Sequence, residues 1–220
     1  LGQFATTLYG QGDLDQSIPI LRKAFSVWTE ELAIQDKQET VIGYSLCLAL
    51  EDAGERELKS QHWDAAEAAF GESQQVANQT WGKNHYRFKD LEFQLSLVHL
   101  AREWTTAELS NFEKLVTLES TIGEQVAQAN FPGAIDLTQQ RLATAQDLLG
   151  ADAALTLTIE RELFTLQMSH GRYSPSGWQR FTKGLIEFIS RHQRCFGANH
   201  PDHAELCFHA AEFLSESDPM

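Results

Sequence analysis

The side chains that could bind a metal are concentrated near the end of the chain. Zinc is held by neutral imidazoles and thiolates when four of them converge. Six candidates lie close together in the sequence: His192, Cys195, His200, His203, Cys207 and His209. Only His203 and Cys207, four residues apart, have a spacing that suits one helical face, and no C-x-x-C or H-x-x-x-H pair accompanies them. We therefore predict neither a metal site nor a cofactor.

Signatures of catalysis are absent from the sequence. It contains no G-x-S-x-G, no phosphate-binding glycine loop and no H-E-x-x-H. Acidic neighbours such as Glu51-Asp52 and Glu160-Arg161-Glu162 could supply an acid and a base, but adjacent residues on a helix point apart. We interpret them as solvated faces and predict that the protein is not an enzyme. Four other histidines are interpreted as capping or solvated: His62, His85, His99 and His170.

Composition and charge limit the classes of partner. The 220 residues include 42% hydrophobic and 22% charged side chains, which is typical of a folded chain. The net charge of −14 at pH 7 repels nucleic acids and anionic lipids and favours a basic partner. No apolar run is long enough to span a membrane. We expect a protein or peptide partner, with neither nucleic acid nor membrane bound.

The cysteines and the first residue bear on where the protein acts. Cys47, Cys195 and Cys207 are few and odd in number, which indicates a reducing compartment and a cytoplasmic location. The chain begins at Leu1, without an initiator methionine or a signal peptide. We expect it to be a fragment of a longer protein.

A repeated pattern indicates how the elements are arranged. A large apolar residue is followed three positions later by a small one, and each pair opens a stretch of helical periodicity. The five pairs are Leu14 with Ser17, Trp63 with Ala66, Trp104 with Ala107, Phe131 with Ala134, and Tyr173 with Ser176. Their spacings of about 27 to 49 residues suit two helices per unit in all but the shortest step.

Glycine turns separate the predicted helices. Trp81-Gly82, Leu149-Gly150 and Phe196-Gly197 each place a glycine after a helix, where it adopts the left-handed cap conformation. Pro201 suits the first turn of the next helix. Thr105 and Glu108 have the spacing of a capping box.

The short step from Trp104 to Phe131 has two interpretations. One helix of a pair is shortened there, or residues 107–130 form one long helix in which Trp104 only resembles an opening. An offset of 68 residues supports the second interpretation, because four features recur at it. These are Leu50-Glu51 as Leu118-Glu119, Ala66 as Ala134, Ala77 as Ala145, and Gly82 as Gly150.

Together these patterns predict ten helices and no strand. The predicted ranges are 1–10, 14–34, 38–60, 63–81, 86–103, 106–129, 132–149, 153–170, 176–195 and 202–215. We expect residues 1–220 to form a single helical repeat domain.

Three segments resemble the tetratricopeptide repeat, in the form of about 42 residues found in kinesin light chains. Phe196-Gly197-Ala198-Asn199-His200-Pro201-Asp202 resembles the G-x-x-H-P-D turn of that family. Gly171-Arg172-Tyr173 resembles its G-R-Y turn, and Gly12-Asp13-Leu14 matches the same place in the first unit.

The resemblance implies an all-α, right-handed solenoid of antiparallel helix hairpins. Family members bind peptides in a concave groove lined by the first helix of each hairpin, often through an asparagine. The corresponding places here hold Gln3, Gln94, Glu162 and His209. Trp178 has no packing role in the repeat pattern and is added as a binding candidate.

These considerations predict an adaptor or scaffold that recognises a protein segment without catalysis. The alternative function is a regulatory or structural segment of a larger multi-domain signalling protein. A helical hydrolase or a metal protein is the third hypothesis. The oligomeric state is left open.

Overall fold

The structure, a computed structural model, describes residues 2–29, 37–170 and 175–216. Within these residues the chain forms helices and no strand. The helices are α1 (Gly2–Gly10), α2 (Leu14–Val27), α3 (Lys37–Lys59), α4 (Trp63–Trp81), α5 (Tyr86–Ala101), α6 (Thr106–Ala127), α7 (Phe131–Leu149), α8 (Ala154–His170), α9 (Pro175–Phe196) and α10 (Pro201–Glu216). The predicted all-α class is confirmed.

The helix ends follow from local chemistry that the sequence displays. The capping box is present, since the Thr105 hydroxyl accepts from the Glu108 amide and the Glu108 carboxylate accepts from the Thr105 amide. Gly82, Gly150 and Gly197 have positive φ, of 83°, 88° and 92°, which favours glycine. The predicted left-handed cap conformation is wrong for Gly82 and Gly150, because their ψ of 167° and 160° is extended. The end predicted for the second helix, near residue 34, lies outside the described residues.

Consecutive helices pack as hairpins. Turns of three residues join α1 to α2, α3 to α4 and α6 to α7, and such short turns require antiparallel neighbours. We call α1, α3, α5, α6, α8 and α10 first helices and α2, α4, α7 and α9 second helices; in each of the hairpins α1–α2, α3–α4, α6–α7 and α8–α9 the two helices contact each other. Ser17, Ala66 and Ala134 are fully buried, as the repeat pattern predicts for small residues between helices. Tyr173 and the side chain of Ser176 lie outside the described residues.

The short step is resolved in favour of one long helix. α6 runs without a break from Thr106 to Ala127, and Ala107 is exposed, so the pair Trp104 and Ala107 does not open a packed second helix. The offset of 68 residues also extends further than the sequence indicated. It relates α4 to α7 residue for residue, and α3 to α6 and α5 to α8 with ends that differ by one residue.

The chain divides into two compact units, Leu1–Glu103 and Trp104–Met220. The core of the first unit contains Leu46, Leu50, Phe70 and Leu91. The second unit has a core of aromatic and leucine side chains: Leu157, Phe164, Phe181, Leu185, Phe188 and Leu206. Both the single domain over 1–220 and the handedness of the superhelix stay predictions. Across the described ranges, no helix has the length and apolarity that crossing a membrane requires.

Candidate partner-binding site

Two of the predicted groove residues occupy equivalent positions. Gln94 on α5 and Glu162 on α8 are separated by 68 residues, the offset that relates the two blocks of three helices. Glu162 forms an ion pair with Arg141, and Gln94 lies on the same helix as Arg87. The two surroundings are therefore described in parallel, one in each unit.

In the second unit, one arginine is shared by two carboxylates. The Arg141 guanidinium on α7 donates through Nη1 to Glu162 Oε2 at 2.9 Å and lies 3.1 Å through Nη2 from Glu119 Oε2 on α6. The Arg141 side chain is 8% exposed, whereas those of Glu119 and Glu162 are 44% and 42% exposed. The two glutamates come from first helices and project toward solvent. We call Glu119, Arg141 and Glu162 the carboxylate site.

The carboxylate site has one negative charge more than it has positive charge. Burial raises the pKa of Glu162, and the negative charge of Glu119 raises it further, against the opposing effects of Arg141 and Arg161. Arg161 is not counted in the site, because its guanidinium pairs with Asp202 at 3.2 Å. Both terminal nitrogens of Arg141 already face carboxylates, and its buried Nε has no hydrogen-bond partner within the described part of the chain. A further cation would stabilise this arrangement, whereas an anion would meet two like charges.

The first unit has a balanced pair in the corresponding place. Glu51, which corresponds to Glu119, accepts two hydrogen bonds from Arg87 Nη1, at 3.0 and 3.1 Å. Ser73 replaces Arg141 and bonds to Cys47, while Arg87 reaches in from α5. Gln94 replaces Glu162, so the second carboxylate is missing. Asp90 is near enough to raise the pKa of Glu51, but no second carboxylate shares Arg87 in the ion pairs that the described residues form.

An aromatic surface lies beside the Glu51 pair. The Arg87 guanidinium sits 4.5 Å from the centre of the Tyr44 ring, which is 41% exposed. Tyr44 meets Trp81 edge to face at 6.2 Å, and Trp81 stacks on His85 at 4.8 Å. This surface offers ring faces to a partner, where the carboxylate site offers charge.

The remaining predicted site residues, Gln3, His209 and Trp178, lie on three different helices. The backbone of Gln3 lies in α1, but its side chain is outside the described residues. His209 on α10 lies 3.6 Å from both Glu205 and Glu212 and is 43% exposed. Trp178 lies on α9, a second helix, where its ring packs against Phe213 at 4.7 Å. Their binding roles stay predictions.

The C-terminal histidines form a buried cluster. His192 is 1% exposed and stacks on His203 at 5.6 Å, and the Nδ1 atoms of both rings lack a partner in the residues described. Cys207 Sγ lies 3.6 Å from His203 Nε2. No group of three His, Cys, Asp or Glu residues that could hold a metal ion occurs in the ranges the structure covers. Burial lowers the pKa of His192 to about 4, so the ring is neutral at pH 7.

The interpretation of the acidic neighbours as solvated faces is wrong for Glu51 and Glu160, and it holds only in part for Glu162, which is 42% exposed but paired with Arg141. Glu51 and Glu162 pair with buried arginines, and Glu160 Oε1 lies 2.5 Å from Arg191 Nη2 on α9. Burial raises the pKa of all three. The recurrence of Leu50-Glu51 as Leu118-Glu119 was the available signal, because it marked the same place in two helices. Nothing in the sequence indicated which arginines would reach them.

Comparison with known proteins does not assign the chain to a family. No family model matches the chain, and no curated protein matches it. Among solved structures, a crystal structure of kinesin light chain TPR-like repeats from Podosopora anserina matches with 12% identity and a TM-score of 0.34. That match covers 97% of this chain and 83% of the other. The all-helical hairpin fold therefore rests on the helices and contacts described above.

Proposed function

We propose that this protein is a non-catalytic interaction module that binds a basic segment of another protein at the carboxylate site. The observation that carries the proposal is that Glu119 and Glu162, both about two-fifths exposed, share the single buried guanidinium of Arg141. A lysine or arginine of the partner would supply the missing positive charge. The site would then contain two carboxylates and two cations.

The charge of the whole chain supports the same partner. With a net charge of −14, the protein attracts cationic segments at long range and repels nucleic acids. Long-range attraction acts mainly on the association rate and weakens as salt screens it. The carboxylate site would add the specific contact that orients the bound segment.

The finer predictions extend this proposal. In the predicted groove, Gln3, Gln94, Glu162 and His209 would contact the partner along successive first helices. A regulatory or structural segment within a larger multi-domain protein stays the alternative function, and a cytoplasmic location stays the predicted one. The absence of catalysis is part of the proposal.

Binding of a lysine-rich peptide tests the proposal directly. Glu162→Gln should weaken binding about 5-fold, because a half-exposed ion pair contributes about 1 kcal/mol. Glu124→Gln is the matched control, since Glu124 is exposed on α6, the same helix as Glu119, and lies outside the carboxylate site. Isothermal titration at two salt concentrations measures both variants.

Two results would contradict the proposal. One is equal weakening by Glu162→Gln and Glu124→Gln, which would indicate a general charge effect without a specific site. The other is an affinity that does not change with salt. Glu72 is unsuitable as a control, because its carboxylate joins α4 to Arg22 of α2 at 2.5 Å, and its loss would disturb helix packing.

A further inference from the structure

Helix α9 has a charge opposite to that of the chain. The chain has 31 acidic and 17 basic residues. α9 has one acidic residue, Glu187, and four basic ones: Arg180, Lys183, Arg191 and Arg194. An acidic protein that concentrates cations on one helix has a surface suited to a different partner from the one its total charge attracts.

Three of these cations face solvent. Arg191 is occupied, because it lies 2.5 Å from Glu160. Arg180 and Arg194 are exposed and make no hydrogen bond or ion pair in the part of the chain that the structure describes. Lys183, 80% exposed, lies 3.9 Å from Glu187, and so distant a surface pair contributes little. The cations are therefore available to a partner.

An apolar strip runs along α9 beside these cations. Trp178, Thr182 and Ile186 are spaced four residues apart and so lie on one side of the helix. Ile186 is 55% exposed, and the strip borders a shallow depression of about 430 Å³. Phe213 of α10 packs against Trp178 and fixes its ring. The adjacent side of α9, with Phe181, Leu185 and Phe188, is buried in the core.

We infer that this side of α9 is a docking surface for an acidic amphipathic helix of another protein. The face of a helix presents no free backbone groups, so an extended segment could not form main-chain hydrogen bonds with it. A helical segment satisfies its own backbone and can place apolar side chains along a straight strip. Acidic residues along one edge of its apolar face would then meet Lys183 and Arg194.

This surface is separate from the carboxylate site. It lies on a second helix and favours an acidic partner, whereas Glu119 and Glu162 lie on first helices and favour a basic one. The inference does not rest on the proposed function. The two sites should respond to different substitutions.

The test is a titration of the full chain with a synthetic helical peptide. The peptide has leucines along one face and aspartates and glutamates elsewhere, and a second peptide has lysines in place of the acids. The acidic peptide should bind and change the intrinsic fluorescence of the five tryptophans, and Trp178→Phe should reduce that change. Ile186→Asp and Lys183→Glu should each weaken it about 10-fold, by removing an apolar anchor or reversing a contacting charge.

Matched controls come from α5. Leu100→Asp places a charge at a position that is 45% exposed, and Lys89→Glu reverses an exposed charge. Neither substitution should weaken binding of the acidic peptide by more than about 2-fold. Glu162→Gln should also leave it unchanged. Lys183→Glu keeps the test valid if Ile186→Asp folds poorly, because the Lys183 side chain is mostly in solvent.

Four results would overturn the inference. They are the absence of binding by the acidic peptide, equal binding of the lysine peptide to this surface, equal weakening by the α5 controls, and self-association. In the last case, sedimentation would detect a dimer that Ile186→Asp dissociates, and the occupant would be a second copy of the chain.

Discussion

Helices α3 to α5 and helices α6 to α8 form two blocks whose boundaries agree to within one residue at an offset of 68. The backbone agrees in detail as well. Gln61 and Ala129, the two non-glycine residues with positive φ in the described ranges, are equivalent, at 60° and 57°. Gly82 and Gly150 are also equivalent. Turns and small residues are shared, while the larger side chains differ.

The blocks fill their cores in complementary ways. In the first block, Gly54 faces Phe70, and a Cβ added to Gly54 would lie 2.6 Å from the Phe70 ring. In the second block the equivalent residues are Ile122 and Thr138. The larger residue thus lies on the second helix of one block and on the first helix of the other. The comparison indicates that the same pair of packed helices can have the large side chain on either helix, provided that the residue facing it is small.

The largest expected effect on stability comes from replacing Gly54 and Phe70 by the residues at the equivalent positions of the second block. Phe70→Thr alone should reduce the free energy of unfolding by about 3–5 kcal/mol, because it leaves a cavity. Gly54→Ile alone should overpack at a cost of about 1–3 kcal/mol. The double variant should lose less than the sum, with a coupling of about 0.5–3 kcal/mol in urea unfolding.

The control for this cycle combines Phe70→Thr with Gly123→Ala. A Cβ on Gly123 would meet no atom within 4 Å, so these two effects should add. Strict additivity of Gly54→Ile with Phe70→Thr would break the comparison, because it would mean that the two positions do not compensate each other.

Loss of the equivalent glutamates, Glu51 and Glu119, should reduce the free energy of unfolding by different amounts. Glu51→Gln removes the carboxylate that accepts from Arg87, whose side chain is 12% exposed, and should cost about 1.5–3 kcal/mol. Glu119→Gln leaves Arg141 paired with Glu162 and should cost less than about 1 kcal/mol. Urea unfolding followed by circular dichroism measures both. Equal costs would show that the second carboxylate does not compensate.

Enlarging the equivalent small residues Ala66 and Ala134 should destabilise the two blocks by similar amounts. Ala66→Leu and Ala134→Leu each force a larger side chain between two packed helices and should cost about 1–3 kcal/mol. Ala107→Leu is the control, since Ala107 is exposed and the change should stay within about 0.5 kcal/mol. Thermal unfolding of the three variants checks the shared frame. A parental melting temperature for Ala66→Leu or Ala134→Leu would contradict it.

Mild acid should destabilise the second unit more than the first. His192, with a pKa lowered to about 4 by burial and then by the charges of His203, Arg161 and His200, stays neutral in the fold but is protonated when unfolded below about pH 6.5. Stability is therefore lost as pH falls from about 6.5 toward 4. The loss from this residue should be about 1 kcal/mol at pH 5.5.

Comparison with His192→Phe isolates the contribution of this residue. The variant should have a shallower dependence of unfolding free energy on pH between 5 and 7, whatever its stability at pH 7. An unchanged slope would show that His192 does not titrate as described. In the α3 to α5 block, His62 and His99 are exposed, and His85 is partly buried, with a pKa that burial also lowers but by less than that of His192. The first unit therefore has only a weaker equivalent.

The sequence predicted what depends on neighbouring residues. Gly82 and Gly150 set helix ends because only glycine takes their φ easily, and Thr105 with Glu108 closes a cap within four residues. Contacts between helices were harder to predict from the sequence. Arg87 and Arg141 are unremarkable in sequence, and their role depends on which helix faces meet after folding. Gly54 likewise gave no signal, because its need for a small residue arises from the distant Phe70 ring.

The offset of 68 residues also has a consequence for the parity of the array. In a strict alternation of two-helix units, equivalent residues stand an even number of helices apart, but α3 corresponds to α6, three helices on. α5 corresponds to α8, which is a first helix, so α5 and α6 are two first helices in succession. This break in the alternation coincides with the boundary between Glu103 and Trp104, so within the described residues each unit contains the same sequence of first and second helices, beginning and ending on a first helix.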